Sequence, residues 1–593
     1  MIRVARALWL VVSTSVRVDP WRSVLCLTES TGVLMDVLQP LFLAWLVSGA
    51  VDRDLRQMTW AAGAFLGSVA ADKALCMIGV NARIRQLERV SHVFGARVAE
   101  ITARIPTLDH LESPRYLDQA QMLRERSGSL GVALNTLLNT FNDVVRVGGT
   151  LALAATADWR MLLVAAAGLP VLLATRWFVA WQATAEAESA QPGRLTFHLL
   201  GLGRDAVAGA EVRVFGLGGF LRERLRLAVV AWRQPFVVLA RRMTLVETLC
   251  NAVFFGVAGA VLLWMVGDVL AGTVRLDSFV LAMLLVNRLQ SGSRDLQEAA
   301  RTAVDMIRTT MRLLWLLDYA KEVERVHTGT LEPGPTLSRG IELDGVTYRY
   351  APRDRPALDQ VSLQLPAGSI VALVGENGAG KTTLVKLLAG MYQPTTGRIL
   401  VDGLDLNRLD VTAWRRRLSG AFQDYLRPEF LAAEAVGIGD LDHLSNRRRL
   451  RTAVEDGAAD AVIAQLPGGL DTQLGSAWPG GVGLSGGQWQ RLALARGMMR
   501  DHPLLLVLDE PTAALDATTE HALFERYAAA AKAGRASGTV TVLVTHRFST
   551  VSAADLIVVL DHGRVVEIGS HAELLEADGH YAELYRLQAR GYA

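Results

Sequence analysis

Apolar residues come in long runs in the first half of the 593-residue chain and in short runs in the second. Crossing a bilayer takes about 20 apolar residues in a helix. Six stretches reach that order: 24–48, 59–80, 130–156, 160–181, 245–267 and 276–297, the last interrupted by Asn287, Arg288 and Gln290. The connections alternate in length. Those near 50–58, 157–159 and 268–275 are short, whereas 81–129 and 182–244 are long. Six spans with both ends on one side of a membrane require that alternation. Arg83, Arg85, Arg89, Arg97, Arg104, Arg124 and Arg126 fall in the first long connection. Arg194, Arg204, Arg213, Arg222, Arg224, Arg226, Arg233, Arg241 and Arg242 fall in the second. Arginine-rich connections stay on the cytoplasmic side. The pattern therefore predicts a multi-pass helical bundle in a cytoplasmic membrane, with the long connections helical and extending into the cytosol.

The first residues, Met1 to Val24, set Arg3, Arg6 and Arg17 around the apolar run Ala7–Val12. That run is short and no small-residue cleavage site clearly follows, so an amphipathic helix on the membrane surface fits better than a signal peptide. Inside the proposed spans lie Glu29, Asp36, Asp72, Lys73, Asn135, Asn139, Asn142, Asp143, Arg146, Arg176, Glu247 and Asn251. Polar groups in hydrocarbon are costly and face a cavity or a partner. Asn135, Asn139, Asn142 and Arg146 recur every three or four residues and so share a helix face. A polar translocation path and hydrogen bonding between helices both explain them.

From about 298 to 340 the chain turns polar, and Glu332-Pro-Gly-Pro335 breaks any helix. This sets the expected domains at 1–315 for the membrane region, 316–340 for a linker and 341–593 for a second domain. Alternation resumes at Ile341 and ends in Tyr348-Arg-Tyr350; the ring of Tyr350 would stack on a base or serve as an ordinary strand aromatic. Next, Val371-Ala-Leu-Val374 reads as a buried strand, followed by Gly375-x-x-x-x-Gly380-Lys381-Thr382 and a helical run from Thr383 to Leu388. This is the phosphate-binding P-loop in the context it requires. Glycines let the backbone close around phosphates, and N–H groups from Gly375, Glu376, Asn377, Gly378, Ala379, Gly380 and the first turn through Thr383 point at the anion. Lys381 reaches the terminal phosphates of ATP, and the Thr382 hydroxyl is offered to Mg²⁺.

Two further elements complete the chemistry. Leu504-Leu-Leu-Val-Leu-Asp509-Glu510 is an apolar strand ending in two acids. Asp509 is placed to hold Mg²⁺ and Glu510 to polarise an attacking water. Leu484-Ser485-Gly486-Gly487-Gln488 opens a helix, so its hydroxyl and N–H groups form a second anion site. One chain has no obvious use for two γ-phosphate sites. A head-to-tail pair would clamp each ATP between the P-loop of one copy and this turn of the other.

Composition agrees and adds limits. Half of the residues are hydrophobic, 51%, and the mean hydropathy is positive, as suits a membrane protein. A net charge of +2 provides no basic field for nucleic acid. Cys26, Cys76 and Cys250 sit in apolar runs without metal-ligand spacing.

Taken together, these motifs resemble the ABC transporters, specifically an exporter-type half-transporter with the membrane domain first. Leu484–Gln488 is similar to the family's signature sequence. Gln423 in Ala421-Phe-Gln-Asp424 resembles the Q-loop, Ala514-Leu-Asp516 the D-loop, and His546 in Val544-Thr-His-Arg547 the switch histidine. Glu211–Gly216 resembles the second coupling-helix region, and Tyr116-Leu-Asp118 lies where the first would fall. The resemblance implies a six-span α-helical bundle followed by an α/β P-loop ATPase domain, and catalytic roles for Glu510, His546 and Gln423. It implies adenine stacking on Tyr350, ATP contacts from Ser485, Gly486, Gly487, Gln488 and Asp516, and Mg²⁺ held by Thr382, Gln423 and Asp509.

The chain departs from the family pattern in two places. Gly475–Gly481 lacks the glutamate that such exporters often carry before the signature, and Ala513 stands where the D-loop often has serine. No catalytic group is lost, which favours a homodimer with two working sites over a heterodimer. The expected function is ATP-driven export of a peptide, lipid or amphipathic small molecule. An importer of exporter architecture, for a siderophore for example, and an ATP-gated regulatory or channel subunit are the alternatives.

Overall fold

The computed structural model describes residues 2–204, 206–327, 329–350, 355–510, 534–545 and 551–592. Two compact units emerge: 1–101 with 120–317, and 102–119 with 318–593. The short segment 102–119 thus belongs with the second unit although the first surrounds it in sequence.

The first unit is helical. Helix α1 (Ile2–Val18) ends at Asp19-Pro20, where the Asp19 carboxylate accepts from the Arg22 N–H at 3.2 Å and caps α2 (Pro20–Leu25). Then come α3 (Leu27–Asp52), α4 (Leu55–Arg104), α5 (Asp109–Glu112), α6 (Pro114–Gly131), α7 (Ala133–Ala157), α8 (Met161–Ala167), α9 (Leu169–Leu202), α10 (Ala206–Val214), α11 (Gly218–Leu270) and α12 (Leu276–His327). Of these, α5 and the start of α6 lie in the second unit, as does α12 from Asp318.

Among the described residues, four continuous helical stretches are long and apolar enough to cross a membrane: Pro20–Asp52, Leu55–Arg104, Met161–Leu202 and Gly218–Leu270. They contain four of the six predicted stretches. The other two are helical as well, in α7 and α12, but Asn142, Asp143 and Arg146 dilute the first and Asn287, Arg288 and Gln290 the second. As predicted, the long connections are largely helical, with α4 continuing to Arg104 and α11 beginning at Gly218.

A core of Ala44, Ala154, Met161, Phe254, Met265 and Leu285 joins α3, α7, α8, α11 and α12. Polar side chains also cross-link helices of this unit. Arg288 donates to the Asp36 carboxylate at 3.0 and 3.1 Å, and Arg83 pairs with Glu29 at 3.2 Å. Gln290 donates to Asn251 at 3.1 Å and Gln297 to Glu247 at 3.2 Å. For these residues, hydrogen bonding between helices is therefore the arrangement observed.

In the second unit, β1 (Gly340–Tyr348), β2 (Leu358–Pro366), β4 (Thr396–Val401) and β5 (Leu404–Asp405) form an antiparallel sheet in the order β2-β1-β4-β5. A second sheet has the order β10-β9-β3-β8-β7-β6, from β3 (Ile370–Val374), β6 (Leu418–Ala421), β7 (Leu505–Asp509), β8 (Val540–Val544), β9 (Leu556–Asp561) and β10 (Arg564–Gly569). All its pairings are parallel except the one at the β10 edge. Buried parallel strands read as unbroken apolar runs because both faces are covered. On β7, Leu505 and Val507 join the core shared with the antiparallel sheet. Leu506 and Leu508 pack instead with Leu450, Trp489 and Leu492 of a small helical layer, on α14 (Arg447–Asp456) and α15 (Gly486–Gly497). Likewise Val371 and Leu373 of β3 face one core and Ile370, Ala372 and Val374 the other.

Candidate functional site

Sheet order assembles the site. Strands β3, β8, β7 and β6 are adjacent and parallel, so their C-terminal ends lie along one edge. Open α/β sheets bind ligands at that edge. From β3 comes the P-loop, from β7 the pair Asp509-Glu510, and from β6 Gln423. His546 would follow β8; it and Asp516 lie outside the described residues.

The P-loop turn depends on glycine. Gly380 has φ +102°, and a Cβ there would lie 2.6 Å from the Ala357 carbonyl oxygen. Gly375, at φ +149°, would meet the Leu560 carbonyl oxygen at 2.1 Å. Helix α13 (Lys381–Leu388) starts directly after this turn, so its free N–H groups face the loop. Buried Lys381 donates from Nζ to the carbonyls of Gly375 at 2.7 Å and Glu376 at 2.9 Å. Burial pushes its ammonium below the usual lysine range, while Glu510 and Asp509 pull it back up. Thr383 is buried, and its hydroxyl lies 3.1 Å from the Tyr350 hydroxyl. Ala379 N–H closes the loop onto the Glu376 carbonyl at 3.1 Å, and Asn377 and Gly378 form its exposed tip.

Asp509 is the most telling side chain. It is 3% exposed, and neither carboxylate oxygen makes a hydrogen bond among the described residues. Burial, then the charge of Glu510, raise its carboxyl from 3.8 to about 6. The nearby Thr382 hydroxyl and Lys381 offset part of that rise, without the Thr382 contact reaching full hydrogen-bond geometry. An uncompensated buried carboxylate beside a threonine hydroxyl, a lysine and an anion-binding loop fits a divalent cation carried by a phosphate ligand. The residues present thus suit ATP together with Mg²⁺.

Glu510 takes φ +48°, an uncommon conformation for this residue type, held by its N–H bond to the Val544 carbonyl at 2.9 Å. The kink turns its side chain off the strand line, and Gln423 donates to its carboxylate at 3.4 Å. Gln490 of α15 donates to the Glu510 carbonyl at 3.1 Å. Sequence reasoning passed over Gln490, which reads there as one more residue of a helical run.

The signature turn is a helix start with a capping box. The Ser485 hydroxyl accepts from Gln488 N–H at 3.3 Å, and Gln488 Oε1 accepts from Ser485 N–H at 2.9 Å. Gly486 accepts from the Tyr425 hydroxyl at 2.9 Å, and Gln488 donates to Gln465 at 3.2 Å. Ser485 and Gly486 are exposed and Gly487 half-buried. Among the described residues, none of these bonds reaches the P-loop.

The departure at Gly475–Gly481 has a structural counterpart. Glu429 comes in from the stretch after Gln423; its carboxylate accepts from Trp478 Nε1 at 2.8 Å, and its backbone carbonyl accepts from Gln473 at 2.7 Å. A carboxylate thus sits beside this loop although the loop itself has none.

Comparison with known proteins agrees with this geometry. The family model described as ABC transporter matches residues 358–513. An ATP-dependent lipid A-core flippase of Ralstonia nicotianae is 44% identical over 250 residues, which span 42% of this chain and only 40% of that protein. The flippase of the same name from Methylobacillus flagellatus is 32% identical over 467 residues, 77% of this chain and 75% of the relative. A solved structure of a bacterial Atm1-family ABC exporter with ATP bound matches with a TM-score of 0.77 at 25% identity, over 96% of this chain and 99% of that one. This chain belongs to the ABC transporter family, as an exporter-type half-transporter that joins a membrane-embedded helical region to an α/β ATP-binding domain.

Proposed function

We propose that two copies of this chain form an ATP-driven exporter of a lipid or lipid-like amphiphile. The observation that carries the ATPase reading is the buried Asp509 carboxylate, without a hydrogen-bond partner among the described residues and set beside Lys381, Thr382 and the P-loop. The cargo class follows the flippase relatives, and the apolar helices provide the route. Between α9, α11 and α12, a cavity of ≈ 210 Å³ is lined by both Phe254 and Val171 and the polar Glu247, Asn251, Gln290 and Gln297. That mixture suits a molecule with an apolar body and a polar head. In this reading α7 and α12 also cross the membrane, giving six spans with the ATPase domain in the cytosol. Their charged residues are satisfied by partners such as Asp36 with Arg288.

In this mechanism the P-loop N–H groups and Lys381 bind the phosphates of ATP, and Tyr350 packs against its base. Thr382, Gln423 and Asp509 would hold Mg²⁺, which when bound neutralises phosphate charge. Phosphoryl transfer is chiefly positioning and electrostatic stabilisation, so assembly of the shell is the decisive step. Glu510 takes a proton from the attacking water and Gln423 steadies its carboxylate; the family resemblance assigns His546 a role toward the γ-phosphate. Ser485, Gly486, Gly487 and Gln488 of the second copy close the site from the other face, and the family resemblance assigns Asp516 an ATP contact as well. ATP binding favours the closed pair and hydrolysis removes that preference.

The test is purified chain in proteoliposomes, with a fluorescent lipid and ATP inside or outside. ATP-dependent outward movement that stops in Glu510→Gln and Lys381→Ala supports the reading. ATPase activity persisting in Lys381→Ala refutes the site assignment. Inward movement, or conduction only down a gradient, refutes export. An inactive but ATP-binding chain refutes the homodimer.

A further inference from the structure

Glu510 is held at both of its peptide groups. Its φ of +48° is strained for a residue that carries a side chain. Such a conformation persists only where the surroundings over-determine it. On one side, the Glu510 N–H donates to the Val544 carbonyl of β8 at 2.9 Å. On the other, the Glu510 carbonyl accepts from Gln490 Nε2 at 3.1 Å. The first bond orients the peptide plane before Cα and the second the plane after it. Together they fix φ and ψ, and with them the direction in which the side chain leaves the backbone. Strand β7 and its pairing with β8 end at Asp509, so the plane after Glu510 lies beyond the sheet ladder.

Gln490 lies in the second turn of α15 and is 7% exposed. Its Nε2 is used on Glu510, whereas its buried Oε1 has no hydrogen-bond partner among the described residues. A buried amide with an oxygen left unpaired opposes folding, and an apolar side chain of similar volume would avoid that cost. Stability therefore gives no reason for an amide here. What the amide does touch is the backbone of the residue whose carboxylate Gln423 contacts at 3.4 Å. The same helix holds the segment that carries Gln423. The Tyr425 hydroxyl donates to the Gly486 carbonyl at 2.9 Å, and Arg496 donates to the Leu426 carbonyl at 3.1 Å. Helix α15 is thus bonded to both sides of the Gln423–Glu510 contact.

We propose that Gln490 is a positioning residue for hydrolysis, which holds the Glu510 carbonyl and so keeps the Glu510 carboxylate aimed at the attacking water. Without this bond, the peptide after Glu510 rotates to relieve the positive φ, and the side chain turns with it. Binding of ATP draws on other groups. Lys381 and the P-loop are organised by bonds to the Gly375 and Glu376 carbonyls, in which Gln490 takes no part. Loss of the amide should therefore separate turnover from affinity.

The proposal rests on Glu510 acting as the base in the ATPase reaction proposed above. It is tested on the full chain in nanodiscs, with ATP–Mg²⁺ as the probe and Gln490→Met and Gln490→Leu as the variants. Both replacements are close to glutamine in volume and neither has a donor, so a loss common to the two belongs to the bond and not to packing. In each, kcat should fall about 10-fold or more, the scale of one hydrogen bond acting on the transition state. KM and the affinity for a fluorescent ATP analogue should stay within about 2-fold, and the thermal midpoint should not drop. In a Glu510→Gln background, adding Gln490→Met should change the residual turnover by less than about 2-fold, because the carboxylate it positions is gone. A kcat within about 2-fold of the unmodified protein in either variant overturns the proposal. So does ATP affinity falling in step with kcat, or a full additional loss in the Glu510→Gln background. Failure of both variants to fold overturns it as well, since Gln490 would then be a structural residue. Full turnover in Glu510→Gln alone overturns instead the assignment of the base.

Discussion

Replacing Asp509 by asparagine should stabilise the nucleotide-free protein at neutral pH while abolishing its ATPase activity. The carboxyl is raised from 3.8 to about 6, first by burial and then by Glu510. The folded protein therefore retains a proton that the unfolded chain releases between those values. Its contribution to stability is near zero below pH 3.8, turns unfavourable as pH rises to about 6, and is constant above. At pH 7.5 the penalty is roughly 3 kcal/mol. Asparagine removes the charge but buries an amide, at about 1–3 kcal/mol if it stays unpartnered. That amide term does not depend on pH, so two pH values separate the effects. From pH 5 to pH 7.5 the stability of Asp509→Asn relative to the unmodified chain should rise by ~1.4 kcal/mol. For a domain of this order that is about 3–6 °C in unfolding midpoint. The assay is thermal unfolding of the full chain without nucleotide or Mg²⁺, at both pH values, beside steady-state ATPase measurement. A gap that does not change with pH, or that grows in acid, would refute the reasoning.

Other outcomes follow from the same geometry. Gly380→Ala forces φ +102° on a residue whose Cβ lies 2.6 Å from a backbone oxygen; ATP affinity measured by fluorescent-nucleotide titration should fall at least about 10-fold, a strain of 1–3 kcal/mol. Ser485→Ala removes one half of a capping box and should cost about 1 kcal/mol in unfolding free energy, with a larger loss of ATPase turnover than of ATP affinity. Leu373→Ala, in a fully buried strand, should destabilise the ATPase domain by about 2–5 kcal/mol, read as a lower midpoint for that transition. His110 is buried, and burial holds its imidazole below the usual range, partly offset by the nearby Thr107 backbone, which makes no full hydrogen bond to the ring. Its contribution to stability is present above about pH 6.5 and lost as pH falls below that value. Thermal midpoints should therefore drop from pH 7.5 to 5.5 more in the unmodified chain than in His110→Phe.

Local sequence was enough for everything that depends on neighbours in the chain. The P-loop could be read because strand, glycine turn and helix are contiguous, and its glycines do take the positive φ angles the turn demands. Asp509 at a strand end and Ser485 at a helix start were legible for the same reason. Apolar run length picked out six stretches, and four of them fall, among the described residues, in helices where 18 or more residues are nearly free of charge. It could not by itself decide α7 and α12, because Arg146 and Arg288 raise or lower the cost of burial according to partners such as Asp36, which lies on another helix.

What only the tertiary structure decided concerns residues distant in sequence. Strand order, not spacing, brings Gln423 within 3.4 Å of Glu510. It is also the fold that buries Asp509 deeply enough to move its carboxyl to about 6. A loop lacking its glutamate still has Glu429 beside it, and a short turn at Asp109–Glu112 is gripped by Tyr348 and Tyr392 from well over two hundred residues away. The reason is physical. Backbone conformation answers to a residue's immediate neighbours, whereas the energy of a buried charge or hydroxyl is set by whichever groups folding places within about 3 Å of it.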